Sequence, residues 1–289
     1  HTMPLQSACF SSDGRHLLTA ADDESARLWD VGRGAVVWSV EGAGQWGTFS
    51  PDGRLVAVNH RAGRTQLLDR ATGASVRVLQ HDGALGAIHF SPAGDRVATR
   101  VVRGGDQEFT ALWDVSTGRQ LALLPGALEP LQRTVFSPDG ARVVTGDADR
   151  TIAVWDARSG DRVATLTTPD PVMPPAWLHA FFSQDGRQIV GTNAYDVWLW
   201  DARTGRLLTT MKGAQDPQSF GLLLSPDSGT LITSAAGASV RLFDARSGVL
   251  RARPAGHAGQ ILFGRLSPDA SVLLTTIPDK TARLWNVDS

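Results

Sequence analysis

Seven tight turns of the type Ser-Pro-Asp-Gly recur along this chain at nearly constant spacing. Each is followed 17–22 residues later by a large apolar residue and then Asp or Asn. The turns begin at Ser11, Ser50, Ser91, Ser137, Ser183, Ser225 and Ser267. The matching dipeptides are Trp29-Asp30, Leu68-Asp69, Trp113-Asp114, Trp155-Asp156, Trp200-Asp201, Phe243-Asp244 and Trp285-Asn286. Successive turns are 39, 41, 46, 46, 42 and 42 residues apart. One repeat therefore fills the chain, and the fold must be an array of similar units.

The residues within a repeat predict four short β-strands. In the fourth repeat, LQRTVFS alternates apolar and polar residues, SPDG supplies a turn, and ARVVTGD, TIAVWD and VATLTT follow as further strands. No helical periodicity separates them. We predict an all-β fold, a seven-bladed β-propeller of four-stranded antiparallel blades, in one domain. The predicted repeats are approximately 1–40, 41–79, 80–124, 125–166, 167–211, 212–254 and 255–289.

Four side chains recur within the better-preserved repeats, namely a His, a Thr, an acidic residue and a Trp. The last repeat has all of them after a Gly-His pair: Gly256, His257, Thr275, Asp279 and Trp285. The first has His1, Thr19, Asp23 and Trp29, and the fourth has Thr145, Asp149 and Trp155. The third has His81, Thr99 and Trp113 with a displaced Asp106. Repeats 2, 5 and 6 are degenerate, although Trp200 remains in the fifth.

This pattern resembles the WD-repeat (WD40-type) β-propeller family. The resemblance implies that these four side chains form a hydrogen-bonded chain linking the strands of one blade. It also implies a ring closed by a strand from the other terminus. Because His1 already occupies the His position and the chain stops three residues after Asn286, we expect the outer strand of the last blade to lie outside these residues. A three-stranded blade with an exposed edge is the alternative.

Composition excludes several classes of function. The net charge of −1 provides no general attraction for nucleic acid or anionic membranes, and no apolar run is long enough for a membrane span. Cys9 is the only cysteine, which fits a reducing compartment, and we expect a cytoplasmic location. Only Lys212 and Lys280 among the 28 basic residues are lysines. We interpret this bias as that of a GC-rich bacterial genome.

No motif predicts catalysis, a cofactor or a metal. His1, His81 and His257 occupy the blade-linking position, and none of the other histidines has a partner at metal-ligand spacing. Acidic residues cluster in two second-to-third-strand turns, at 22–24 and at 147–149, where calcium binding is an alternative to a solvated turn. Core packing explains Trp46 and Trp177, which leaves no aromatic platform for RNA.

The resemblance also implies a face for partners. In the family, loops at the narrow face present the residue after the first inward position of each inner strand. Here those residues are Gln6, Gln45, Gly86, Gln132, Leu178, Phe220 and Leu262. The last three would form an apolar patch on one rim; the alternative is that a small register error makes them core residues. Two long loops map to the same face, 101–109 with Arg103 and 167–177 with Met173, although drift in unused loops would explain both.

We therefore predict a non-enzymatic scaffold that binds a protein or peptide on the narrow face. The resemblance suggests a bacterial multidomain protein, with signalling or effector domains, or further repeats, in the same polypeptide. The alternative is a propeller enzyme or small-ligand sensor that uses the central channel. A purely structural spacer in a longer array is a third interpretation.

Overall fold

The computed structural model describes most of the chain. The described residues are 1–60, 63–104, 107–126, 135–146, 151–168, 179–193, 195–214, 222–235, 239–253, 261, 263–267, 269–276 and 281–287. Within these ranges the regular structure is all β, as predicted, and no helix has the length and apolar character needed to cross a membrane.

Seven antiparallel sheets follow one another along the chain, and we number them 1–7. Sheet 1 contains β1 Leu5–Phe10, β2 His16–Ala21, β3 Ser25–Asp30 and β4 Ala35–Glu41. Sheet 2 contains β5 Ala43–Phe49, β6 Leu55–His60, β7 Arg64–Asp69 and β8 Ser75–Gln80. Sheet 3 contains β9 Ala84–Phe90, β10 Arg96–Arg103, β11 Gln107–Asp114 and β12 Gln120–Pro125. Sheet 4 contains β13 Arg142–Gly146, β14 Ile152–Asp156 and β15 Arg162–Leu166.

Sheet 5 contains β16 His179–Phe182, β17 Gln188–Thr192, β18 Val197–Asp201 and β19 Leu207–Met211. Sheet 6 contains β20 Leu222–Leu224, β21 Thr230–Ala235, β22 Ser239–Asp244 and β23 Leu250–Ala252. Sheet 7 contains β24 Phe263–Leu266, β25 Val272–Thr276 and β26 Ala282–Asn286. Sheet 7 thus has three strands among the described residues, and whether an outer strand completes it stays a prediction. In sheet 4 a bridge between Phe136 and Val143 continues the ladder beyond β13.

The chain divides into two compact units, residues 1–147 with 153–163 and residues 148–152 with 164–289. Apolar clusters lie between consecutive sheets within each unit. In the first unit they join sheets 1 and 2, 2 and 3, and 3 and 4, and in the second unit sheets 5 and 6, and 6 and 7. Each sheet thus buries a face against its neighbour, as a stacked repeat requires.

The recurrent Ser-Pro-Asp-Gly turn is built by its own side chains. In sheet 2, the Ser50 hydroxyl donates to Asp52 Oδ1 over 2.6 Å and accepts the Leu55 N–H over 2.9 Å. Sheet 3 has Ala93 where the other turns have Asp, yet Ser91 Oγ donates to Asp95 Oδ1 over 2.7 Å. A carboxylate two residues further on therefore serves the same turn.

Candidate functional site

In sheet 1 the structure brings together the four side chains on which the family resemblance depends. His1 Nε2 lies 2.7 Å from Thr19 Oγ1, and Trp29 Nε1 donates to that same oxygen over 2.8 Å. His1 Nδ1 lies 3.0 Å from Asp23 Oδ1. Since Thr19 accepts from the indole, its one hydroxyl proton can go to His1 Nε2. A neutral His1 would then carry its proton on Nδ1 and donate to Asp23.

The Asp23 carboxylate is held by several donors at once. Burial opposes its ionisation, but the Thr2 N–H, the Ser25 hydroxyl and N–H, and the nearby Arg27 together keep the pKa of Asp23 below its usual value. The described partners of Asp23 are residues of sheet 1 and of the segment before it, namely His1, Thr2, Ser25 and Arg27. This cluster links β2, β3 and the turn between them.

The Thr–Trp bond recurs in three other sheets. Trp113 Nε1 donates to Thr99 over 3.3 Å, Trp155 to Thr145 over 2.8 Å and Trp285 to Thr275 over 2.7 Å. In sheet 5 the position that holds Thr in these sheets is occupied by Gly191, which pairs with Trp198 of β18. A Cβ at Gly191 would lie 2.5 Å from Cζ3 of Trp200. The Trp200 ring therefore covers the space that a threonine fills elsewhere.

His81 differs from its expected role in sheet 3. Its Nε2 lies 3.0 Å from Oγ1 of Thr65, which belongs to sheet 2, rather than joining Thr99. Its ring meets the edge of Trp113 at a centroid distance of 4.7 Å. The expected chain within one sheet is thus replaced by a link between two sheets, because Thr65 offers a buried hydroxyl where His81 enters sheet 3.

Two described positions on the predicted docking edge carry anchored polar side chains. Gln6 is the second residue of β1. Its Nε2 donates to Oδ2 of Asp22, in the β2–β3 turn, over 2.6 Å. Arg103 ends β10; its Nε donates to the Asp82 carbonyl over 3.1 Å and its guanidinium lies 5.0 Å from the Phe109 ring centroid. Gln45 lies in β5 and Gly86 in β9.

The long second-to-third-strand loop of repeat 3 is largely an extended hairpin. Val101 pairs with Phe109, Val102 with Glu108 and Arg103 with Gln107. The extra residues therefore lengthen β10 and β11 and carry Arg103 to the end of the hairpin. This outcome differs from a free loop because β-branched and aromatic residues favour continued pairing.

Many sequence-predicted residues lie outside the described ranges. They are Asp106, Gln132, Asp147, Asp149, Met173, Trp177, Leu178, Phe220, Gly256, His257, Leu262 and Asp279.

Across the described ranges, no group of three or more potential metal-ligating side chains converges. Within the acidic cluster of sheet 1, Asp22 accepts from Gln6 whereas Asp23 is bound to His1 and Ser25. These two carboxylates thus have different partners.

Comparisons with known proteins point to one class. Residues 1–30 and 119–156 match the family described as WD domain, G-beta repeat. These stretches contain the Thr19–Trp29 and Thr145–Trp155 bonds. Together with the antiparallel sheets, this match is consistent with a WD40-type β-propeller of about seven blades.

Curated relatives carry repeats of the same kind. The chain is 25% identical over 293 residues to a serine-threonine kinase receptor-associated protein of Dictyostelium discoideum, covering 99% of this chain and 96% of the relative. It is 23% identical over 216 residues to apoptotic protease-activating factor 1 of Danio rerio, covering 73% of this chain but 17% of that protein. It is 26% identical over 212 residues to autophagy-related protein 16 of Arabidopsis thaliana, covering 73% of this chain and 40% of that protein. These relatives are eukaryotic and do not support the bacterial origin expected from the lysine content.

Proposed function

We propose that this chain is a non-catalytic platform that binds a protein or peptide along the loop edge of its sheets. The edge is defined by the starts of the inner strands and the turns between second and third strands. The faces of the sheets pack against neighbouring sheets. Side chains that remain available to a partner therefore lie in the loops.

The observation that carries this proposal is that exposed polar side chains on this edge are held by neighbours. Gln6 is bound to Asp22, and the Arg103 guanidinium lies 3.4 Å from the Asp82 carboxylate. Asp82 is 91% exposed, so this pair contributes little to stability. Side chains ordered before binding lose less entropy when a partner arrives, which favours recognition.

The relative that matches nearly the whole chain supports the same reading. Its name describes association with a kinase receptor, and it shares 96% of its own length with this chain. We infer by analogy a protein partner for the present chain. Relatives matched over 17% and 40% of their length show that repeats of this kind also occur within longer proteins.

We further propose that Leu178, Phe220 and Leu262 form the apolar part of the docking face. Their positions in the repeat correspond to those of Gln6 and Gly86, which lie at the starts of β1 and β9. A central apolar patch with a polar rim is the usual anatomy of an interface.

An affinity capture with quantitative mass spectrometry tests the platform, followed by calorimetry with the purified partner. The test variant is Leu178→Glu/Phe220→Glu. The matched control is Val78→Glu/Val163→Glu, because both valines are 49% exposed on outer strands. We expect the control to retain the partner and the test variant to lose at least tenfold in affinity. Equal binding by both variants would remove this docking face. Failure to capture any protein, with stabilisation by a cofactor or sugar, would favour the small-ligand sensor.

A further inference from the structure

A small cavity lies between sheets 2 and 3, beside His81. Its volume is about 200 Å³. Val101, Ala111 and Leu123 form apolar walls, His81 adds an imidazole, and Asp82 and Arg103 stand among the polar lining. Small-molecule sites usually occupy roughly 300–1,000 Å³, so this volume suits a single side chain better than a cofactor.

Ala111 is small and leaves room for the cavity. In sheet 4 the residue at the same place, two before Trp155, is also small, Ala153. On the third strand of sheets 1, 2, 5, 6 and 7, by contrast, the residue directly opposite the Thr position is larger. Those residues are Arg27, Gln66, Trp198, Arg241 and Arg283. In sheet 5, Trp198 is only 2% exposed and its ring lies 6.4 Å from that of Trp200. The fold therefore accommodates a buried aromatic ring at this position when the chain supplies one.

A buried chain of hydrogen bonds fixes the proton on His81. Asn59 Nδ2 donates to the Gly86 carbonyl over 2.5 Å, so Asn59 Oδ1 accepts from Thr65 Oγ1 over 2.6 Å. With its proton used, the Thr65 oxygen must accept from His81 Nε2. Neutral His81 is therefore the Nε2–H tautomer, and its Nδ1 is an acceptor.

That acceptor has no hydrogen-bond partner among the described residues, although His81 is only 8% exposed. An unpaired buried acceptor is costly, and native structures rarely leave one without a reason. By contrast, the corresponding His1 Nδ1 in sheet 1 is bound to Asp23. The cavity thus combines apolar walls with a lining residue that still needs a donor.

We propose that this cavity receives one aromatic side chain with a donor at its tip, a tyrosine hydroxyl or an indole N–H, from a protein partner. The inference rests on the proposed function and names the chemistry of one anchor. The ring would pack on Val101, Ala111 and Leu123. Since His81 Nδ1 is itself buried, a small rotation of the imidazole would bring it to the cavity, where it would accept the bond from the donor. Arg103 and Asp82 would flank the chain that carries it. Tyrosine and tryptophan are common interface anchors because they join an apolar body to one polar group.

The test uses small probes with the whole chain, so it does not depend on identifying the partner. p-Cresol represents tyrosine, 3-methylindole tryptophan, and toluene a ring without a donor. Nitrogen-15 NMR of labelled histidine should show His81 as the Nε2–H tautomer and a shift of its Nδ1 resonance with p-cresol or 3-methylindole. We expect the preference for p-cresol over toluene to exceed that of His81→Phe by roughly three- to tenfold, as one hydrogen bond allows. The stronger donor probe identifies the side chain.

Ala111→Trp fills the cavity from within and should abolish probe binding, whereas Ala111→Ser should preserve it. If Ala111→Trp does not fold, the His81 resonance of the unaltered protein still decides. An unmoved Nδ1 resonance, or equal probe binding by folded Ala111→Trp, would overturn the inference. A captured partner that binds folded Ala111→Trp normally would leave the proposed function standing and remove only this anchor.

Discussion

The fourth residue of the recurrent Ser-Pro-Asp-Gly turns has a positive φ, the left-handed conformation that favours glycine. Gly14, Gly53, Gly94, Gly140 and Gly186 all have φ between 67° and 73°. In the last two turns Ser228 and Ala270 adopt φ of 58° and 60° instead. A side chain in this conformation costs about 1–2 kcal/mol, part of which glycine returns through its unfolded-state entropy.

We expect Ala270→Gly to stabilise the protein by about 0.5–1 kcal/mol, since it removes this strain. Gly14→Ala should destabilise by a similar amount, because a Cβ there meets no atom within 4 Å and only the backbone conformation changes. Chemical denaturation of both variants measures the shifts. A destabilising Ala270→Gly would show that the backbone strain is relieved in some other way.

The buried His81 predicts a dependence of stability on pH. Burial lowers the pKa of His81 from 6.5 to about 4. As pH falls through 6.5 the unfolded imidazole takes up a proton while the folded one stays neutral. Stability is therefore lost between pH 6.5 and 4, by about 3 kcal/mol at most, and this residue adds no further change below pH 4.

Thermal unfolding at several pH values tests this dependence. His81→Phe should flatten the curve between pH 6.5 and 4. Some slope should remain, because burial also lowers the pKa of His89 to about 4. The double variant His81→Phe/His89→Phe should lose most of it. An unchanged slope in that double variant would assign the dependence to other groups.

At the scale of strands and turns, neighbouring sheets are joined by a contact that the repeat pattern did not predict. In sheets 1–5 a middle residue of the outer strand faces the glycine that ends the third-to-fourth-strand turn of the next sheet. The pairs are Trp38 with Gly73, Arg77 with Gly118, Ala122 with Gly160, Ala164 with Gly205 and Thr209 with Gly248. These glycines have φ of 69–77°, so backbone conformation favours glycine at all five positions. At 73, 160 and 248 a lack of space also favours glycine, because a Cβ there would lie within 2.8 Å of its neighbour.

Gly73→Ala should be more destabilising than Gly34→Ala. Both residues have positive φ, 71° and 62°, but a Cβ at 73 would lie 2.8 Å from Trp38 Cγ, whereas one at 34 meets nothing within 4 Å. Trp38 is held by its indole bond of 2.8 Å to the Arg70 carbonyl. We expect an additional loss of about 1–3 kcal/mol from crowding. Equal denaturation midpoints would mean that Trp38 moves aside freely.

Thr145→Val tests the bond that joins the second and third strands of a sheet. Trp155 is 5% exposed and would lose its acceptor, so we expect a loss of about 1–3 kcal/mol. Thr145 also donates to the Pro125 carbonyl over 3.1 Å. Thr233→Val is the matched control, because Thr233 likewise donates to the Ala214 carbonyl, whereas sheet 6 has Phe243 in place of tryptophan. We expect the control to lose less free energy of unfolding in chemical denaturation. Equal losses would mean that the indole hydrogen bond adds nothing to stability beyond the rest of the threonine's contacts.

The strands and their order could be predicted from the turns, because Ser, Asp and Gly fix local backbone geometry whatever surrounds them. The predicted strand TIAVWD, for example, is β14 from Ile152 to Asp156. The His81–Thr65 bond and the cavity beside Ala111 could not be predicted from the sequence, because both depend on which side chains meet across two sheets. One signal was available: Ala111 stands where most repeats have a long side chain, a difference visible once the repeats are aligned.

For the whole molecule, apolar packing between consecutive sheets explains why degenerate repeats are tolerated. The same packing explains why residues at the sheet edges can serve the proposed platform. Apolar clusters between consecutive sheets persist in both compact units, including around Leu68 and Phe243 where tryptophan is replaced. Burial of large apolar side chains contributes about 1.5–3 kcal/mol each, against about 1 kcal/mol for a hydrogen bond. The polar positions at sheet edges are therefore free to vary with the partner.

Acid unfolding is the property to which the repeated turns contribute together. Hydroxyl and N–H groups of the turns hold the pKa of many aspartates below its usual value. These residues are Asp13, Asp52, Asp69, Asp114, Asp139, Asp156, Asp201, Asp227, Asp244 and Asp269. For Asp114, bonds from Ser116 and Thr117 lower the pKa from 3.8 to about 2. The stability these carboxylates provide is complete above pH 4 and is lost as pH falls through their folded pKa.

We therefore expect denaturation midpoints to decrease steeply between pH 4 and 2, a window separate from that of His81. Asp114→Asn keeps an acceptor oxygen in the turn but removes the titrating charge, so it should reduce the slope in this window while lowering stability at pH 7. Adding Asp156→Asn should reduce the slope further, because the two turns lie in different sheets and should act independently. A midpoint that stays constant from pH 4 to 2, or a slope unaffected by both substitutions, would show that the turn carboxylates do not control acid stability.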